Sequence, residues 1–180
     1  MNTRRAALAT LGGSLLCPAA ISAAPAEPSL RLSLPASTSQ KDRRHLRLKG
    51  FHLLFTNTSA APIAVWRDWC SWGWFCPHVT IALGGKTYEF KRADRRWTKN
   101  YPDAFWILPG EHYILPIQLF GDGWLQPADF HPDFDTPAEV TCKFTVSEDR
   151  ETKEQGVWTG TLKVTQALSL DASTEAKLQF

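Results

Sequence analysis

The residues best equipped for molecular recognition cluster in one segment, W-R-D-W-C-S-W-G-W-F-C, at 66–76. Tryptophan offers a large, rigid apolar ring with a polar N–H, so exposed rings can stack on sugars or anchor a protein partner. Trp69, Trp72 and Trp74 are the candidates here, joined by Trp97 and its neighbours Arg95 and Arg96, whose cations suit an anionic surface or polymer. In small β domains such rings more often complete the core or its rim. Packing is therefore the favoured role of the segment, with Trp66 continuing a strand and Trp106 and Trp158 in the core.

Cysteine and histidine supply the remaining chemistry. Cys70 and Cys76 bracket S-W-G-W-F, and in an oxidising compartment a disulfide would close that loop and restrict its unfolded states. Cys142 lies on the apolar face of an alternating run and is expected to be a buried, inert thiol; a bridge from it to Cys70 or Cys76 is the alternative. Cys76-Pro77-His78 places a thiolate and an imidazole two residues apart, with His112 and His131 elsewhere. Blue-copper sites want a second His and usually an axial Met, and zinc sites want paired spacings that are absent here, so no metal or other cofactor is expected. The chain has no G-x-S-x-G, no H-E-x-x-H and no phosphate loop, and no catalytic residue is assigned.

Charge narrows the partners. With 20 Lys+Arg against 18 Asp+Glu in 180 residues, the chain lacks the strongly basic balance of a nucleic-acid binder. The opening M-N-T-R-R followed by an Ala/Leu/Gly stretch reads as an export signal over 1–26, by the twin-arginine or the general secretory route, with cleavage after Ala24-Pro25-Ala26. Its removal takes Arg4, Arg5 and Cys17, leaving a neutral chain with three cysteines, periplasmic or secreted. No later apolar run suits a transmembrane helix. Within the neutral total, residues 86–99 carry six cations (Lys86, Lys91, Arg92, Arg95, Arg96, Lys99) against Glu89 and Asp94. Residues 122–139 carry five acids and no Lys or Arg. Solvated loops facing each other account for both; the acidic loop lacks the dense aspartate spacing of a calcium site.

The elements that must position these groups are strands. Leu30, Leu32 and Leu34 alternate within a leader and loop over 27–45. Leu46 and Leu48 alternate, then Phe51, Leu53 and Phe55 do so in the opposite phase, and Gly50 between them suggests a β-bulge. I-A-V-W at 63–66 and F-W-I-L at 105–108 are further strands. V-T-I-A-L and T-Y-E-F-K joined by Gly84-Gly85 form a hairpin. The run 113–119 contains Pro116 and belongs at a sheet edge. Strands through Val140–Val146 and Trp158–Val164 flank a charged connection, and a polar tail occupies 171–180. No stretch has a sustained period of 3.6. The pattern predicts an all-β fold, an antiparallel immunoglobulin-like β-sandwich of about seven to nine short strands over 46–170.

Three motifs carry a resemblance: F-T-N-T-S-A-A-P-I after an early strand, L-P-G-E-H-Y before a later one, and V-W-T-G-T-L-K-V near the end. Their order resembles exported bacterial immunoglobulin-like domains, and the first two resemble the bacterial intracellular proteinase inhibitor domain. The resemblance spans most of residues 46–165 and implies the fold; no reactive-site loop matches residue by residue. The expected function is non-catalytic binding or structural interaction with a protein or glycan of the cell envelope. The alternatives are carbohydrate binding through exposed Trp and inhibition of an envelope protease.

Overall fold

The computed structural model describes residues 29–38, 44–48, 50–121, 123–133 and 136–171; the expected export signal and the polar tail beyond Asp171 lie outside them. The described chain is mostly β. Its strands are β1 (Leu30–Ser33), β2 (Ser37–Thr38), β3 (Arg44–Arg47), β4 (Phe51–Asn57), β5 (Ile63–Trp66), β6 (Pro77–Leu83), β7 (Lys86–Arg92), β8 (Ala104–Ile107), β9 (His112–Ile117), β10 (Trp124–Leu125), β11 (Thr136–Val146) and β12 (Gly160–Asp171). Two short helices interrupt them, α1 (Ser71–Trp74) and α2 (Arg150–Gln155).

These strands form a seven-stranded sheet, β10-β7-β6-β11-β12-β3-β2, a three-stranded sheet, β1-β4-β9, and the pair β5-β8. All pairings are antiparallel except β12 with β3. Alternation along β11 buries Ala138, Val140, Cys142, Phe144 and Val146 while Glu139, Lys143 and Thr145 face solvent. Phe144 meets Phe55 of β4 edge to face, with ring centroids 4.7 Å apart, so the core lies between the two larger sheets.

The phase slip at Gly50 has a different cause from a bulge. β3 belongs to the seven-stranded sheet and β4 to the three-stranded one, and the chain crosses between them through a turn in which Gly50 N–H donates to Arg47 O. Facing sheets need opposite phases to point inward, so Leu46, Leu48, Phe51, Leu53 and Phe55 are all buried. Leu30, Leu32 and Leu34 also enter this core. β9 is an edge strand, as Pro116 requires, and Gly84 and Gly85 both take positive φ in the β6–β7 hairpin.

The charged connection after β11 folds as helix α2. Asp149 caps it by accepting from Thr152 N–H, Thr152 Oγ1 accepts from Asp149 N–H, and Gly156 ends it at φ 62°. Its exposed residues carry no apolar stripe, which is why periodicity does not reveal it. Trp106, expected in the core, is 59% exposed on β8, whereas Trp158 is half-buried with its ring over Gly160.

Asn57 ends β4 as the most demanding polar group inside. Fully buried, its Nδ2 donates to Ala61 O and Ile107 O at 2.8 Å, while Oδ1 accepts from Ser59 N–H and Oγ–H. It therefore ties the turn after β4 to β8. Asn57→Leu would strand those carbonyls and the Ser59 amide, costing about 3 kcal/mol. The check is the urea midpoint, which should fall without a change in slope.

Candidate functional site

The tryptophan segment does not form a single platform. It begins where β5 ends, and Gly73 allows a tight turn there because a Cβ would collide with the Arg67 carbonyl. Arg67 is fixed by its N–H to Asp103 O at 3.0 Å and by a 3.4 Å ion pair to the Asp103 carboxylate. The segment then sends its rings three ways.

Trp72 turns inward and packs against buried Trp66, with centroids 6.1 Å apart. Trp74 goes to the end of the seven-stranded sheet, where its Nε1–H donates to Ala93 O at 2.9 Å. There the guanidinium of Arg92 lies 4.2 Å from the Trp74 ring and 4.5 Å from that of Trp124. Arg95 continues the stack, 5.3 Å from Trp74 and 5.1 Å from Trp97. The result is a ladder of three indoles and two guanidiniums. Burial holds the Arg92 pKa below the usual guanidinium range, partly opposed by nearby Asp68. Among the described residues neither Arg92 Nε nor Trp124 Nε1, both buried, has a hydrogen-bond partner, and ring contact is the compensation the guanidinium receives.

Trp69 goes outward. It is 54% exposed and meets Tyr101, 57% exposed, edge to face at 6.4 Å. Asn100 locks the Tyr101 segment to α1 by accepting from Ser71 N–H and donating to Ser71 Oγ at 2.7 Å. Of the expected site residues, Trp74, Arg95 and Trp97 thus come together in the ladder, Trp72 packs on Trp66, and among the rings Trp69 alone is exposed. Arg96 is exposed and takes no part in the stack. Two members escape a reading of sequence: Trp124, joined to Arg92 by the β7–β10 pairing, and Tyr101, whose place depends on Asn100; Arg92 enters that reading only as one cation of the 86–99 segment.

Cys70, Cys76 and Cys142 are buried free thiols, so the expected Cys70–Cys76 bridge is not closed in this structure. The Cys70 thiol donates to Arg67 O at 3.2 Å and the Cys76 thiol to Trp72 O at 2.9 Å. A cavity of about 300 Å³ places Cys76 with His78 and Asp149 in its lining. Burial, reinforced by Cys70, pushes the Cys76 pKa up to about 12, and burial alone does the same for Cys142. Both stay protonated at neutral pH, which removes them as nucleophiles. Among the described residues no group of three or more His, Cys, Asp or Glu is placed to hold a metal, and no helix is long and apolar enough to cross a membrane. The basic and acidic segments do meet, through Lys86 and Asp129 at 3.4 Å.

Two outcomes test this geometry. Gly123 takes φ 96°, and a Cβ there would lie 2.6 Å from the Trp74 ring. Gly123→Ala should destabilise the chain by about 2 kcal/mol or more and red-shift tryptophan emission as Trp74 is displaced. Iodoacetamide should label Cys76 and Cys142 at least ~100-fold more slowly in the native chain than in denaturant, read by mass spectrometry. No protein-family model, curated protein or solved structure matches this chain.

Proposed function

We propose that this chain is an exported, non-catalytic immunoglobulin-like β-sandwich that binds a protein or glycan of the cell envelope. The observation that carries the reading is the Trp69–Tyr101 pair: two aromatic rings, both more than half exposed, held on clamped loops. Isolated exposed apolar residues are ordinary, but a preorganised aromatic pair loses little entropy when a ligand covers it. The export half of the proposal rests on the Arg4-Arg5 leader, and the immunoglobulin-like half on opposed antiparallel sheets and the turn motifs.

Carbohydrate binding is the second reading, and the same pair favours it because an exposed indole face can stack on a pyranose ring. Trp72, Trp74 and Trp97 no longer contribute as free platforms, since Trp66 and the arginines occupy their neighbourhoods.

The test is fluorescence titration of the full chain with neutral oligosaccharides and, separately, with solubilised envelope proteins. A ligand should shift Trp69 emission, and Trp69→Ala with Tyr101→Ala should weaken binding by at least ~10-fold while leaving the melting temperature nearly unchanged. Full binding by that double variant would sink the assignment of this pair.

A further inference from the structure

A second surface, independent of Trp69, lies on the outer face of the seven-stranded sheet. Strand pairing sets Lys143 of β11 directly between Lys163 of β12 and His78 of β6. Lys91 follows Phe90, the partner of Val79, and so extends the same row onto β7. Four basic side chains therefore cross four adjacent strands in one line, about 14 Å long at the ~4.8 Å spacing of strands. A depression of about 310 Å³ includes His78, Lys91 and Lys143 in its walls, together with Thr80, Thr145 and one acid, Glu89.

Hydroxyl groups border the row on both sides. Thr141 stands between Thr80 and Thr165, with its Oγ1 2.8 Å from that of Thr165, and Thr145 faces Thr161 at 3.2 Å. Like charges directly opposite one another destabilise a sheet. Elsewhere Lys86 meets Asp129, Arg67 meets Asp103 and Lys153 meets Glu148. On this face Glu89 is the acid beside the row, and its ion pair, at 2.6 Å, is with Lys91, which lowers the Glu89 pKa most; His78 and Lys143 add to that lowering. The opposed Lys143 and Lys163 are left facing each other.

We propose that this face binds a linear acidic polysaccharide, its carboxylates or sulfates received by Lys91, His78, Lys143 and Lys163 and its sugar hydroxyls by the flanking threonines. A single line of three lysines and one imidazole suits a single extended chain. Apart from the His78 imidazole, the row and its threonine borders contain no aromatic ring, whereas single-stranded nucleic acid is bound on successive stacking platforms. They also offer no apolar anchor for insertion into a membrane; Leu125, at the β10 end, is the exposed apolar neighbour.

The experiment is calorimetric titration of the full chain with alginate oligomers at low ionic strength. Neutral dextran oligomers, a single-stranded oligonucleotide and phosphatidylglycerol vesicles are the comparison ligands. Alginate should bind and dextran should not. Lys143→Thr with Lys163→Thr, which inserts a residue already native to these positions' neighbours, should weaken alginate binding roughly tenfold, the loss of two exposed ion pairs. The same variant should melt no lower than the parent, because a like-charge contact is removed. Lys153→Gln on α2 should leave binding unchanged, as should the Trp69/Tyr101 double variant, so the two readings fail separately. The proposal is overturned by absence of alginate binding, by equal binding of the threonine variant, or by tighter lysine-dependent binding of the oligonucleotide or the vesicles.

Discussion

A guanidinium held between two indole rings organises one end of this molecule. Arg92 is the last residue of β7, Trp124 opens β10 beside it, and Trp74 arrives from α1. Strand pairing alone would leave β10 as a two-residue fragment on the sheet edge, too short to hold its place by hydrogen bonds. The ring contacts join that fragment to β7 and to the tryptophan segment at once. Gly123 completes the joint by leaving room for the Trp74 ring. Burying a cation would ordinarily be unfavourable, and the lowered Arg92 pKa reflects that cost. Two aromatic faces and the field of Asp68 offset it.

This constraint explains why the tryptophans divide as they do. Once Trp74 is drawn to Arg92, the one-turn helix before it fixes Cys70, Trp72 and Trp69 by geometry. Trp72 falls toward Trp66 and the core, and Trp69 falls toward solvent and Tyr101. Sequence spacing cannot separate these outcomes. Trp69 is left at the surface while Trp72 packs on Trp66, six residues back, and Trp74 reaches Arg92 and Ala93, eighteen and nineteen residues on.

Legibility followed the physical range of each interaction. Alternation at period two is local, so β4, β6, β7, β9 and β11 could be read directly, as could the Gly84-Gly85 hairpin and the edge position of Pro116. The phase change across Gly50 was visible too, but a bulge and a passage between facing sheets produce the same slip. Only the parallel pairing of β3 with β12 distinguishes them. Trp106 misled because aromatic residues in strands are usually inward, whereas here β5 is buried along its whole length and its partner β8 turns Trp106 outward. Helix α2 hid behind its charge, since its start and stop signals, Asp149 and Gly156, enclose no apolar stripe.

The charged groups follow the same division as the rings. The cations of Arg92 and Arg95 lie on aromatic faces, and those of Arg67 and Lys86 lie beside carboxylates; each is explained by a partner within the chain. Lys163 forms no ion pair among the described residues, and the acid near Lys143, Glu89, is already paired with Lys91; the register of β11 with β12 sets the two lysines opposite each other. That register is set by the core and cannot slip by one residue without exposing it. The sheet could relieve the repulsion with a threonine, as the positions two residues away on both strands already do. Folding therefore accounts for the placement of the two lysines but not for their identity. On the proposed reading, an anionic chain lying across the sheet supplies the countercharge for the Lys143–Lys163 contact.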